Sequence, residues 1–208
     1  MNGYDGDIAV ELKTPSKGVS LLGPSTIPKG SSELNMVLAA SKDAPMQTSD
    51  LNVSGAATIN SKMVQHTAQP QSEQFAKDGD KLNRSTSPTI LPVISLTSAP
   101  EFTIVPPVDS ITLTPGKSID IVVKVVRKEG FTAKIPISVL GLPAGISAAG
   151  VEIPEKLSEI KLTLKAEDKS ALGKSSVLIV GQLGVDELHP TPQCSAPIQL
   201  TVMPAAKK

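Results

Sequence analysis

Two stretches of this chain, TIPKGSSELNMVLAASKD from Thr26 and EIPEKLSEIKLTLKAED from Glu152, carry apolar residues at every second position and in matching places. Setting Pro28 on Pro154 gives an offset of 126, which brings Leu34, Met36, Leu38 and Ala40 onto Ile160, Leu162, Leu164 and Ala166. Further on, Leu51, Val53 and Gly55 fall on Val177, Ile179 and Gly181. A period of two is the pattern of a strand with one buried face, and a slip of one residue would turn that face to water. A chain that spells the pattern twice is expected to build the same layer twice, with these alternate side chains pointing inward.

The comparison resolves one ambiguity. SVLIVG (Ser176 to Gly181) is apolar on both faces, but its partner DLNVSG has Asn52 and Ser54 at the alternate positions, so Val177 and Ile179 are expected to face the core. Upstream, after a shift of one, Ile8, Val10 and Leu12 match Ile135, Ile137 and Val139, and Gly18-Val19 matches Gly145-Ile146. Downstream, LPVISLT from Leu91 resembles APIQLTV from Ala196, and setting Pro92 on Pro197 gives an offset of 105. The first copy therefore carries a longer connection, and its polar run at about 66–87 reads as a loop without regular structure. The second copy opens with EFTIVPPVDSITLTPGKSIDIVVKVVRKEGF, where Ile119, Ile121, Val123 and Val125 share one face of a strand. No counterpart precedes the first copy.

These patterns predict an all-β chain of two antiparallel β-sandwich repeats. Residues 99–203 read as a complete sandwich of about seven strands, residues 1–98 as an incomplete one truncated at its N-terminus, and 204–208 as a tail. A sandwich without its first two strands exposes unpaired backbone and half a core, so Met1 is expected to be an internal start or a fragment boundary. The alternative is a first copy that folds in a rearranged form. The 18 Pro and 15 Gly, scattered among short runs of Val, Ile, Leu and Thr, agree with many strands and turns.

Composition narrows the functions. Twenty basic and twenty acidic residues balance, which gives no field for phosphate backbones, and nucleic acid is not expected as a partner. Three Phe, one Tyr and no Trp leave few stacking platforms for bases or sugars. No apolar run approaches the ~20 residues of a membrane helix, so membrane insertion is not expected. The residues after Met1 encode no secretory signal.

Candidate chemistry is sparse, and neither catalytic residues nor a cofactor are expected. His66 and His189 fall in different copies. His189 stands five positions from the lone Cys194, but Pro190 and Pro192 lie between them and favour a solvent loop over a thiolate–imidazole pair. Two DGD clusters, Asp5-Gly6-Asp7 and Asp78-Gly79-Asp80, set oxygen ligands at alternate positions. The second continues to Asn83, which makes Asp78, Asp80 and Asn83 the calcium candidates, although the terminal bidentate Glu of a calcium loop is missing. Glu159, Lys161 and Lys165 alternate with core positions and read as a solvated face.

The run GLPAGISAAGVEIPEKLSEIKLTLKAEDKSALGKSSVLIVGQ, with TPGKSIDIVVKVVRKEGF before it and APIQLTV after it, resembles the bacterial immunoglobulin-like repeats of large secreted and cell-surface proteins. It looks most like those of planctomycete proteins that carry prepeptidase-type domains. The resemblance rests on Gly141-Leu142-Pro143-Ala144-Gly145, Ile153-Pro154, Leu162-Thr163-Leu164 and Gly173, and it covers the first copy more loosely. It implies a noncatalytic spacer or interaction module in the C-terminal part of a larger exported or cell-surface protein, whose partners are the other domains of that polypeptide. The alternative it leaves open is an adhesion module contacting a surface protein or glycan.

Overall fold

The computed structural model describes residues 4–13, 17–78, 81–88, 93–96, 99–183 and 191–204. Every described regular element is a β-strand, and the chain divides into two units, Met1–Ser98 and Ala99–Lys208.

The second unit holds β11 (Phe102–Val105), β12 (Ser110–Leu113), β13 (Ser118–Arg127), β14 (Ile135–Leu140), β15 (Ile146–Ala148) and β16 (Val151–Ile153). It continues with β17 (Glu159–Ala166), β18 (Gly173–Leu183), β19 (Thr191–Cys194) and β20 (Ile198–Val202). One sheet runs β11-β13-β17-β15, and the other runs β12-β20-β18-β14-β16 with β19 also paired to β18. That order, four strands against a sheet built on the third, sixth and last strands, is the immunoglobulin-type sandwich. There are ten segments instead of about seven because single strands are broken to serve two ladders. Pro106-Pro107 separates β11 from β12, and prolines cannot donate to a ladder, so the first strand leaves β13 and pairs in parallel with β20.

Alternation places the core. Ile121, Val123 and Val125 from β13, and Leu162, Leu164 and Ala166 from β17, are buried against Ile135, Ile137, Val177, Ile179, Ile198 and Leu200 of the facing sheet. Each fully buried aliphatic side chain contributes roughly 1.5–3 kcal/mol. Val177 and Ile179 point into this core, yet Leu178 and Val180 on the opposite face are buried as well. Glu159, Lys161 and Lys165 lie exposed between the core positions.

The first unit holds β1 (Ile8–Leu12), β2 (Val19–Leu22), β3 (Thr26–Ile27), β4 (Val37–Ala40) and β5 (Gln47–Asp50). After these come β6 (Val53–Ile59), β7 (Lys62–Thr67), β8 (Gln71–Asp78), β9 (Lys81–Pro88) and β10 (Val93–Leu96). They form four sheets: β3-β1-β6-β7, β2-β4, β5-β10 and β8-β9. The expected loop at about 66–87 is instead the end of β7 and the hairpin β8–β9, whose rungs run from Gln71↔Pro88 to Asp78↔Lys81. Backbone pairing needs no apolar face, so a polar stretch without periodicity can still pair with itself. Gly79-Asp80 between the strands is the composition that two-residue hairpins favour.

Cross-strand partners correspond between the units. Ile8↔Ile27 matches Ile135↔Ile153, Val10↔Gly55 matches Ile137↔Gly181, and Val19↔Ala40 matches Ile146↔Ala166. The last strand differs from the sequence alignment: Val93↔Asp50 corresponds to Gln199↔Ser176, which makes the offset 106. Matching Pro92 to Pro197 puts that strand one residue out of register, with its faces exchanged.

Leu38 and Ala40 also depart from expectation. Both are exposed, Leu38 at 37% against 1% for Leu164 in the second unit. Leu164 is covered because β13 pairs along β17. Among the described residues of the first unit no strand pairs with the corresponding edge of β4. Strand length follows the same cause. In β17 the stretch 159–162 pairs with β13 alone, and its counterpart 33–36 forms no strand.

Candidate interaction surface

The chemistry on offer among the described residues of the first unit is strand edges paired on one side, beside half-covered apolar side chains. β4 pairs with β2 on one side, and β10 pairs with β5 on one side. In the second unit the corresponding strands β17 and β20 each carry a further neighbour, β13 and β12. Leu34 and Met36 beside β4 are half-buried, Leu38 is exposed, and Val93 on β10 is 53% exposed. An edge of this kind is a template for another strand, in which main-chain hydrogen bonds supply affinity and alternate side chains supply selectivity.

The residues singled out for catalysis or metal binding are not brought together. His66 lies in β7 opposite Gly55, and His189 lies outside the described residues. Cys194 is exposed at the end of β19, and partial burial of its sulfur pushes the thiol above its ordinary range, which opposes thiolate formation. Asp78 closes β8 opposite Lys81, Asn83 sits in β9 opposite Ala76, and Asp80 lies outside the described residues. Among the described residues no group of three His, Cys, Asp or Glu could hold a metal ion.

The first DGD cluster has a structural task. The Lys29 backbone N–H donates to Asp7 Oδ1 at 2.8 Å, and the Gly30 N–H donates to Asp5 Oδ1 at 3.1 Å. Lys29 Nζ stands 3.5 Å from Asp5 Oδ2. The two carboxylates thus hold the turn that follows β3, where Gly30 takes φ +79.

In the second unit the polar groups serve the fold. Asp120 on β13 accepts from Thr163 Oγ1 at 2.7 Å and Lys161 Nζ at 2.9 Å, and these hydrogen bonds hold its carboxyl below the usual range. Arg127 donates to three backbone carbonyls, those of Ala133 at 2.6 Å, Leu157 at 2.7 Å and Pro154 at 3.1 Å. Its guanidinium also lies 5.4 Å from the Phe131 ring centroid. Sequence reasoning passed over Arg127, because nothing local reveals that three loop carbonyls converge on one strand end. Ser195 was missed for the same reason. Its N–H donates to Ile179 O at 2.8 Å and its Oγ accepts from Ile179 N–H at 3.1 Å, which seals the break between β19 and β20. Between the ends of β12 and β13 an open groove of about 510 Å³ is lined by Val105, Pro107, Ile111, Ile119 and Ile121 among others.

No helix of the described residues is long and apolar enough to cross a membrane. No family model matches the chain, and the search of curated proteins finds no match. Among solved structures, the fibronectin(III)-like modules of Clostridium thermocellum CbhA align over 98% of this chain and 87% of theirs, at 15% identity and a TM-score of 0.30.

Proposed function

We propose that the chain is a noncatalytic pair of immunoglobulin-type modules, two copies of one unit, forming the C-terminal part of a larger exported or cell-surface polypeptide. In that polypeptide they space and display other domains, which are their partners. The observation that carries this reading is the shared register. Partners such as Val10↔Gly55 and Ile137↔Gly181 recur from strand to strand, and the alternate positions they define in the second unit are filled by Val, Ile and Leu that pack. Side chains committed to packing the second unit's sandwich are what a spacer requires, and a repeated module is the economical way to lengthen one.

Immunoblotting of fractionated source cells with an antibody to residues 99–203 tests the reading. A species heavier than the 21.6 kDa of this chain is expected in the exported or surface fraction. A 21.6 kDa species confined to the cytosol would overturn it.

A further inference from the structure

We propose that Asn52 is an acceptor for N-linked glycosylation, read together with Asp50 and Ser54 and modified before the first unit folds. The inference rests on the exported-polypeptide reading above, because export is what brings a chain to a membrane-bound oligosaccharyltransferase.

The stretch Asp50-Leu51-Asn52-Val53-Ser54 sets a hydroxyl two positions after an Asn with no proline between them, which is the acceptor pattern for a glycan on the amide. Alternate side chains of an extended chain project to one side, so one groove can take the Asp50 carboxylate, the Asn52 amide and the Ser54 hydroxyl together. An amide nitrogen shares its lone pair with the carbonyl, and it becomes a nucleophile only when an enzyme holds and activates it. A carboxylate seated in a basic subsite supplies such a hold. A second pattern of the same kind, Asn83-Arg84-Ser85, has Lys81 in the place of Asp50, and a basic subsite repels it. All five asparagines lie in residues 1–98, so the second unit offers no acceptor.

The co-reactant is a lipid-linked oligosaccharide pyrophosphate. The Asn52 nitrogen attacks the anomeric carbon, and the C–N bond forms as the C–O bond to pyrophosphate breaks. The electron pair of that bond leaves with the lipid pyrophosphate, and the amide proton passes to a base of the transferase.

The fold sets the order of events. Asp50 and Asn52 are exposed at the join between β5 and β6, so a sugar on Asn52 stands in solvent. Ser54 is 1% exposed, and its Oγ accepts from Gln65 Nε2 at 3.2 Å. Its strand, β6, pairs with β1 on one side and β7 on the other. The Asn52 carbonyl accepts from Lys13 N–H and the Val53 carbonyl from Ala68 N–H, both at 2.8 Å. The hydroxyl and backbone that a transferase must enclose are therefore taken up by the sheet, while the acceptor side chain stays outside. The glycan is compatible with the folded unit, but the folded unit is closed to the transferase. At the offset of 126 the counterpart of Asn52 is Leu178, 4% exposed, so the second copy buries an apolar side chain where the first would carry the sugar.

The test exports the full 208-residue chain behind a cleavable signal peptide, in a bacterial host carrying an oligosaccharyltransferase with a basic acceptor subsite and its lipid-linked oligosaccharide. Mass spectrometry of the tryptic peptide Asp43–Lys62 is expected to show a glycan on Asn52, with Asn83 bare. Asn52→Gln removes the glycan and Asp50→Glu keeps it, whereas Asp50→Ala lowers occupancy by about tenfold, the effect of losing one charge-assisted contact. The purified unmodified chain, presented folded to the same transferase and donor, is expected to react at least about tenfold less than the free peptide, since only its opened population exposes Ser54. The proposal is overturned if Asn52 stays bare in the exported chain, if Asp50→Ala changes nothing, if the glycan lies on Asn83 instead, or if the folded chain reacts as fully as the peptide. In the source cells, a heavier exported species with bare Asn52 overturns it and leaves the larger-polypeptide reading standing. A 21.6 kDa cytosolic species sinks that reading, while the host assay, which supplies its own signal peptide, still decides the acceptor.

Discussion

Gly145 lies against Ser170 so closely that a Cβ built on the glycine would stand 2.7 Å from the Ser170 Cα. The same approach occurs in the first unit, where a Cβ on Gly18 would stand 2.7 Å from the Ala44 Cβ. Both glycines take left-handed backbone, φ +79 and φ +80, and their carbonyls accept from Glu167 N–H at 2.9 Å and Ser41 N–H at 2.7 Å. The turn entering β15, and the one entering β2, closes only where the side chain is absent.

Gly145→Ala is expected to cost about 2–5 kcal/mol, combining left-handed strain of ~1–2 with ~1–3 for the displaced backbone of Ser170. Urea unfolding of the chain reads it. A loss below about 1 kcal/mol would show that the turn relaxes around the methyl group.

Lys156 occupies φ +63, a conformation that L side chains adopt with strain, while its counterpart Gly30 holds φ +79 without a side chain. Lys156→Gly is expected to stabilise the second unit by about 0.5–1 kcal/mol, because relief of strain exceeds the added entropy of the unfolded chain. The measurement is the unfolding midpoint, and an unchanged or lower midpoint contradicts the strain.

Asp120 bears on acid stability. Its hydrogen bonds from Thr163 and Lys161 lower the carboxyl pKa in the folded state. The stabilisation is therefore fully present above the unfolded-state pKa and is lost as pH falls through the folded one. Asp120→Asn is expected to lower Tm at pH 7 and to decline less steeply than the parent in acid, with the two curves converging at the lowest pH. Parallel Tm curves across the acid range would show that the pairing contributes nothing, as with many exposed ion pairs.

Arg127 ties the end of β13 to the carbonyls of Ala133, Pro154 and Leu157. Arg127→Lys keeps the charge but cannot span three acceptors, so a loss of about 1–3 kcal/mol is expected. Faster amide exchange is expected at Leu157, near the turn that Arg127 holds. If lysine is tolerated with no change in either measurement, charge alone suffices there.

The alternation was legible where both faces of a strand have unlike fates. Ile121, Val123, Leu162 and Leu164 are buried as their spacing requires, and no helix crosses them. It misled at Leu38 and Ala40, since alternation reports which side chains can share a face and not whether anything covers that face. It was silent at β8–β9, where pairing is carried by backbone groups that every residue possesses. The hairpin joining β6 to β7 escaped notice as well. Its central Asn60 and Ser61 both take positive φ, 50 and 62, and Ser is a weak signal for such a turn.

Proline matching at Pro92 and Pro197 illustrates a finer limit. Prolines mark where a ladder is interrupted, but the partner strand sets the register, and Val93 aligns with Gln199 by pairing. The candidate surface was legible in part: sequence alone showed that residues 1–98 contain no stretch patterned like Ile119 to Val125. Which edges this leaves unpaired required the strand order.

The amino-acid order by itself determined the strand periodicity, the two corresponding stretches and the glycines that permit their turns. These are properties of neighbours along the chain, decided by side-chain alternation and allowed backbone angles. Tertiary structure alone decided which alternate faces are dry, where a single strand divides between two sheets, and which edge of β4 has no partner strand among the described residues. Those outcomes depend on partners distant in sequence, and burial is a property of the assembled layers rather than of any one strand.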